Sequence, residues 1–372
     1  MGNNLYVDIH VIQTVPPSCV NRDDTGSPKT AVYGGVTRAR VSSQSWKKVV
    51  RDAFRSESLF AAEKFSARTK KAATMIAAEV AKIDSSIDTV RANEYAKEVL
   101  VAAGIKEFEK EDSKTQKNDT SALFFISSAQ AKALAQLIIN NLDANQKLTK
   151  IPEDSAKKAI TELPGIDIAL FGRMVAGVAS LTTNACAQVA HAISTHRVNT
   201  EFDYFTAVDD LAPADKHRTE HIGTVEFNSS TLYRYATIAV HGLAEYLGED
   251  TIDSVCEFIR IFACSMPTGK QNTFANRTTP DAMLVTLRTD QPVNLVGAFE
   301  KPVETRGGYV EDSINAFIKH TKKTYADWIK EPKASFVVGD ALSELGQPRS
   351  LSESLVAFKH ALSAILSNDE EI

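Results

Sequence analysis

The sequence predicts an α+β fold, and three observations carry that prediction. The chain opens on strict apolar/polar alternation. A block rich in Ala, Lys and Glu with 3.6-residue periodicity then occupies residues 57–160. Beyond it, strand-like and helix-like runs alternate to the end. With 372 residues and 43% hydrophobic content, the chain is long enough for one large or two to three modest domains with a real core.

In order, residues 4–13 place Leu5, Val7, Ile9 and Val11 on one face and Tyr6, Asp8 and His10 on the other, which predicts a half-buried strand. Residues 18–37 hold Asn21, Asp23, Asp24, Gly26, Pro28, Gly34 and Gly35 and read as a loop returning to that strand's end, with a short strand over 38–41. Ser42 and Ser43 are N-cap candidates for a helix through Phe54, whose apolar face is Trp46, Val49, Val50 and Ala53. The periodic block 57–160 predicts an inserted helical subdomain, interrupted by a polar loop, Lys110–Thr120. GIDIALF (165–171) predicts a strand, GRMVAG a compact loop and NACAQVAHAIST (184–195) a small-residue helix. Residues 197–230 carry strand-like pieces with turns between them and predict a long, irregular hairpin. A strand over 232–240, a helix over 252–266, a loop over 267–280, a strand over 282–288 and helices around 311–329 and 351–367 complete the chain. A β-α-β-β-α-β ferredoxin-like sheet with insertions accommodates this order, and RRM-type RNA binders share that sheet.

Charge is the most informative functional signal. The chain has a net charge of −5, yet Ser18–Arg55 sets eight Lys/Arg against three Asp, a local excess of +5. A basic island in a mildly acidic chain points to one localised polyanion site. Gln44, Lys47, Arg51 and Arg55 recur at steps of three, four and four, so they share one line along the helix, and no acid lies on that line. Arg22, Lys29, Arg38 and Arg40 lie close by in sequence. Lys and Arg gain from phosphates through charge and counterion release without reading sequence.

Other constellations have simpler readings. Gly34-Gly35 and Gly172-Arg173-Met174 are places where backbone approaches a neighbour closely; Met174 reads as core filling, and a base-unstacking wedge is the functional alternative. HRTEH (217–221) matches a metalloprotease pattern in letters only, since Pro213 and Gly223 flank it and no apolar stripe supports a helix. Asp23-Asp24 and Asp209-Asp210 read as turn formers, with a metal-dependent ribonuclease as the alternative. The four cysteines form no CxxC pair and read as free buried thiols of a reducing cytosol. No metal or cofactor is expected. MGNNLY departs from the myristoylation pattern, no signal-peptide pattern opens the chain, and no apolar run approaches a membrane span, so a cytoplasmic protein without membrane partners is expected.

Six blocks, in order, carry a family resemblance: PSCVNRDDTGSPKTAVYGGVTRARVSSQSWKK, GIDIALFGRM, AHAISTHRVNTEFDYFTAVDDL, FNSSTLYRYATI, GKQNTFA and PDAML. They closely resemble the backbone subunits of the type I-E CRISPR effector complex Cascade, the CasC family. The resemblance implies an RRM-like palm (1–56, 161–196 and 227–372, the last with the C-terminal helices), helical fingers (57–160) and a β-hairpin thumb (197–226). It implies a non-catalytic subunit, copies of which stack head to tail along one CRISPR RNA. Large, small, 5′-end-capping and repeat-processing subunits would be its partners, and target DNA would be captured as an R-loop. Carried over by motif, Arg22, Lys29, Ser42, Gln44, Lys47 and Arg51 would hold phosphates or sugars. Met174 would be the wedge beside a displaced base, Tyr204, Phe205 and Thr206 would belong to the thumb, and Lys270 would lie near nucleic acid. Val36-Thr37 stand where relatives can carry extra basic residues, so no contact is carried over to these two positions, while the site itself is. A stand-alone RRM-like RNA binder is the remaining alternative.

Overall fold

The computed structural model describes residues 4–57, 60–108, 119–175, 177–208 and 219–369. The chain runs β1 (Tyr6–Ser18), β2 (Thr30–Tyr33), β3 (Val36–Val41), α1 (Ser43–Glu57), β4 (Ser66–Thr69), α2 (Ala72–Ile83), α3 (Thr89–Ala102), β5 (Phe124–Ser127), α4 (Ser128–Asn140), α5 (Glu153–Thr161) and α6 (Ile166–Phe171). It continues through β6 (Ala187–Val189), β7 (Ala192–Ser194), β8 (Glu201–Val208), β9 (Thr219–Ala239), α7 (Val240–Leu247), α8 (Thr251–Cys264), α9 (Gln271–Phe274), β10 (Ala282–Arg288), α10 (Val310–Asp327), β11 (Ala334–Val338), β12 (Pro348–Arg349) and α11 (Leu351–Asp369). Two compact units share these elements. One comprises the chain up to Ala53 with Val189–Ile238 and Val255–Ile372; the other comprises Phe54–Gln188 and Ala239–Ser254.

The first unit is built on a mixed sheet in the order β12-β11-β10-β1-β9-β7-β3-β2. β1 pairs antiparallel with β10 from Tyr6↔Arg288 to Ile12↔Ala282, whereas β11 and β12 run parallel. Leu5, Val7, Ile9 and Val11 are buried as their spacing predicts. The opposite face departs from expectation, because Asp8 and His10 are buried too. A second layer covers them. Ile12, Tyr233, Tyr235 and Leu284 pack with Leu295, Phe299, Phe317 and Ile318 of the 295–299 turn and α10. Asp8 accepts from Tyr235 Oη (2.7 Å) and the Val293 N–H, and His10 Nδ1 meets Tyr233 Oη at 2.9 Å. Alternation measures polarity; it does not report whether a neighbour satisfies the polar groups.

Two short segments reverse their predicted type. GIDIALF is helix α6, since a short apolar run fits a buried strand or a buried helix equally well. Asp167, in its first turn, accepts from the Ser66 N–H (2.9 Å) and the Ile168 N–H. NACAQVAHAIST is not a helix: Ala187–Val189 and Ala192–Ser194 are strands, and sheet pairing of Ile193 with Tyr233 and Arg40 overrides the helix preference of Ala. The loop read over 18–37 contains β2, joined to β3 by Gly34 and Gly35 at φ 59° and 77°, the left-handed pair that a two-residue hairpin turn needs.

In the second unit α2–α5 bury Ile76, Val80, Val99, Leu100, Leu134 and Ile138 around one core, as the 3.6-residue period requires. A two-stranded sheet, β4 with β5, is an addition to the helical reading. Ser127 opens α4 with a reciprocal capping box to Gln130. Of the predicted polar loop, residues 110–118 lie outside the described residues, as do Asp209, Asp210, His217 and Arg218; Thr219–His221 belong to β9. All four cysteines are free, but only Cys19 and Cys186 are buried; Cys264 is exposed, contrary to expectation. Among the described residues no helix is long and apolar enough to cross a membrane.

Candidate nucleic-acid interface

The basic island is organised by the N-terminus of α1. Ser42 is buried and caps the helix: its hydroxyl and carbonyl both receive the Ser45 N–H, while its own N–H donates to Asn21 Oδ1 at 2.9 Å. The first turn of α1 contains no acid, so the positive end of its dipole is not offset from within the helix. Trp46, Val50, Ala53 and Phe54 are buried, Val49 partly so. The opposite face carries Gln44, exposed, and Lys47 and Arg51, half-buried. The helix is held by a buried cation that sequence reasoning passed over. Arg234 lies 3.8 Å over the Trp46 ring and 4.5 Å over Phe262, and donates to Gln13 Oε1 and the Phe262 carbonyl. Burial pulls its pKa down to about 9.

Upstream of α1, Asp23 Oδ1 accepts from the Thr25 N–H, the Thr25 hydroxyl and the Ser27 N–H. That network shapes an exposed turn and holds the carboxyl below its ordinary pKa, the Thr25 hydroxyl contributing most. The turn presents Arg22, exposed, and Lys29, half-buried. Lys270 converges on the same place. Gly269 packs against the carbonyls of Cys19 and Val20 so closely that a Cβ would collide with them. Arg22 and Lys270 are also the two cations whose fields act on the buried Cys19 thiol. Lys270 itself sits at φ 50°, and its carbonyl accepts from Thr273 and Phe274. Phe274 in turn lies 5.8 Å from Phe227 at the base of the β8–β9 hairpin.

That hairpin pairs Glu201↔Phe227 through Thr206↔Ile222, with a bulge at Ala207/Val208. Phe202 and Tyr204 are 67% and 63% exposed, and Thr206 is exposed on the same strand face. Phe205 points the other way, its ring over Gly223. Tyr204 and Thr206 therefore lie on one side of the ribbon and Phe205 on the other.

Met174 belongs to the second unit and is 85% exposed, which overturns the core-filling reading. Its neighbour explains the exposure. Arg173 is 3% exposed and donates to the carbonyls of Leu181, Phe125 and Ile160, to Gln130 Oε1 and to the Thr183 hydroxyl. Gly172 at φ 78° makes the turn, where a Cβ would fall 2.9 Å from the Thr183 carbonyl. An anchored loop thus holds one large apolar side chain in solvent.

Residues 7–362 match the CT1975-like protein family. The chain belongs to that family. It is also similar to chains of two solved structures. One is described as "CRISPR RNA-guided surveillance complex, pre-nicking", with 31% identity over 95% of this chain and 100% of that one, at a TM-score of 0.77. The other is described as "CRISPR RNA-guided surveillance complex", with 26% identity over 96% and 99% of the two chains, at a TM-score of 0.60. A comparison with curated proteins finds no match.

Within this CT1975-like chain the cations of the island divide by partner. Arg38 is buried and bound to the carbonyls of Tyr33, Ser194 and Phe299. Arg51 and Lys48 pair with Asp52, and Arg55 with Asp167. Arg22, Lys29, Arg40, Lys47 and Lys270 form no ion pair among the described residues. Asn21, Lys29, Arg40, Asn228 and Ser230 line one groove in the first unit. The sequence placed Arg38 and Arg40 in one island on equal terms; they are two apart and share a face of β3, so alternation does not separate them, and only the distant carbonyls of Ser194 and Phe299 that enclose Arg38 do.

Proposed function

We propose that this chain is a non-catalytic CRISPR RNA-binding backbone subunit of a type I-E Cascade complex, working in the cytoplasm. Copies assemble head to tail along the guide with large, small, 5′-end-capping and repeat-processing subunits, and the guide is presented to target DNA for R-loop formation. The observation that carries this reading is the set of five cations, Arg22, Lys29, Arg40, Lys47 and Lys270, without carboxylate partners among the described residues of a chain whose net charge is −5. Family membership and 31% identity to a chain of a CRISPR RNA-guided surveillance complex support the same reading. The order β1–α1–β7–β9–α8–β10 supports an RRM-like palm. The hairpin with its exposed Tyr204 supports a thumb.

The mechanism follows from the chemistry of these groups. Lys and Arg fixed along α1 and the loops beside it track phosphates and release counterions, without reading bases. Each copy contributes a few contacts, and repetition along one strand multiplies them into avidity. Met174, lifted by Arg173, would unstack a base, and pairing would then read the target.

Expression with the companion subunits and a CRISPR array, purification through a tag on this chain and sequencing of the bound RNA tests the proposal. One repeat-spacer-derived species in a stoichiometric complex is the expected result. Random RNA or none, on a monomeric protein, would overturn it. Magnesium-dependent cleavage of RNA paired to the guide, abolished by Asp24→Ala, would overturn its non-catalytic part.

A further inference from the structure

Arg40, on β3, is fixed by three bonds. Its backbone N–H donates to the Lys29 carbonyl (2.9 Å), its Nε donates to the Thr30 carbonyl (3.0 Å), and its Nη1 lies 3.3 Å from His191 Nδ1. A guanidinium only donates, so His191 accepts at Nδ1 and carries its proton on Nε2. Three donors then remain without a partner among the described residues: Lys29 Nζ, Arg40 Nη2 and His191 Nε2–H. The charged groups that face His191 are Arg40 and Lys29; burial first, and then these two charges, hold its pKa below the ordinary value. Positive groups are thus gathered at one place with no carboxylate paired to them among the described residues, beside a groove with the polar side chains of Asn21, Asn228 and Ser230.

We propose that Lys29, Arg40 and His191 form a seat for one phosphate group of the bound strand, Arg40 and His191 being contacts that no motif assigns. This rests on the RNA-binding reading. The seated anion stabilises protonated His191. A proton on Nδ1 displaces Arg40 Nη1, which is then available to the phosphate. Binding at this seat is therefore linked to proton uptake, and affinity rises as pH falls toward the ordinary range of histidine.

The test uses the full chain and single-stranded poly-uridine RNA, titrated by fluorescence anisotropy across a salt series at two pH values, one neutral and one mildly acidic. Arg40→Gln is expected to weaken binding about ten-fold and to lower the salt slope by about 0.7. His191→Gln is expected to abolish the gain in affinity at the lower pH. Lys47→Ala serves as the comparison. If Lys47→Ala weakens binding while both seat variants match the parent in affinity, slope and pH response, the seat is wrong and the RNA reading stands. If none of the three weakens binding, the RNA reading fails and the seat with it. Should Arg40→Gln unfold through loss of its Thr30 bond, His191→Gln decides alone, since His191 is exposed and its one bond is to Arg40.

Discussion

The two ends of α1 carry the same kind of side chain into different surroundings. Toward its N-terminus, Lys47 is half-buried and forms no ion pair among the described residues, and the helix's first turn is free of acid. Toward its C-terminus, Arg51 lies 3.7 Å from Asp52, and Arg55 lies 3.5 Å from Asp167, whose side chain is 1% exposed. All three occupy one line of the helix. A line of cations is therefore not yet a binding surface: the binding surface is what remains after the fold's own carboxylates and carbonyls have taken their share. The same division recurs on β3, where Arg38 is enclosed by carbonyls and Arg40 faces outward.

Removing an enclosed cation should give the largest effect, and on stability rather than on binding. Arg38→Met leaves at least three carbonyls without their donor in a buried place. The expected cost is about 3 kcal/mol, read by denaturant unfolding, with RNA affinity per folded molecule unchanged. A variant that folds normally yet loses RNA would move Arg38 into the binding group and break the comparison. The converse experiment removes unpaired cations. Arg22→Ala with Lys47→Ala is expected to lower RNA affinity about ten-fold at low salt and to reduce the salt slope by about 0.7 per lost contact. The unfolding free energy should stay within about 0.5 kcal/mol of the parent.

The Arg55–Asp167 pair sharpens the comparison at a smaller scale. Arg55 is 41% exposed, so solvent screens the pair and Arg55→Gln should cost no more than about 1 kcal/mol. The pH dependence is more diagnostic. Burial raises the Asp167 pKa, against the opposing pull of the Ser66 bonds and of Arg55. A raised carboxyl favours the folded state below its unfolded pKa, and that advantage disappears as pH rises through the folded value. Relative to Asp167→Asn, which keeps the Oδ1 acceptor, the parent should lose stability as pH climbs out of the acid range. Arg55→Gln should extend that loss to higher pH. A parent curve parallel to that of Asp167→Asn would show that Asp167 does not titrate differently on folding.

Much of this arrangement was legible in the sequence because it depends on local spacing. The helix over α1, the strand ending β9, α8, β10 and the two C-terminal helices each announce themselves through period and caps. The β8–β9 hairpin was legible through its turn residues. What escaped depends on distant partners. Asp8 and His10 look solvent-facing until α10 covers them. GIDIALF forms a helix whose Asp167 binds the distant Ser66 N–H, and within 184–195 the strand Ala192–Ser194 pairs with β9 and β3. Among site residues, spacing located Gln44, Lys47 and Arg51 on one line, but it said nothing of Asp52 as a partner of Arg51. His191 was overlooked altogether, since only the pairing of β7 with β3 brings its ring to Arg40.

The smallest expected change in stability belongs to Met174, and it extends the comparison to the second unit. Arg173 and Met174 are adjacent, yet one is 3% and the other 85% exposed. Burial without a partner in water pulls the Arg173 pKa down to about 10, and five acceptors compensate for its desolvation. Nothing comparable holds Met174, so Met174→Ala should shift unfolding by less than about 0.5 kcal/mol. If its side chain wedges between bases, the effect appears only in the loaded complex. A fluorescent base analogue at the displaced position of the guide, unstacked and bright in the parent, should dim in Met174→Ala as the base returns to the stack. Equal brightness in both proteins would mean that the anchored loop serves another purpose, and that the exposed thioether takes no part in shaping the strand.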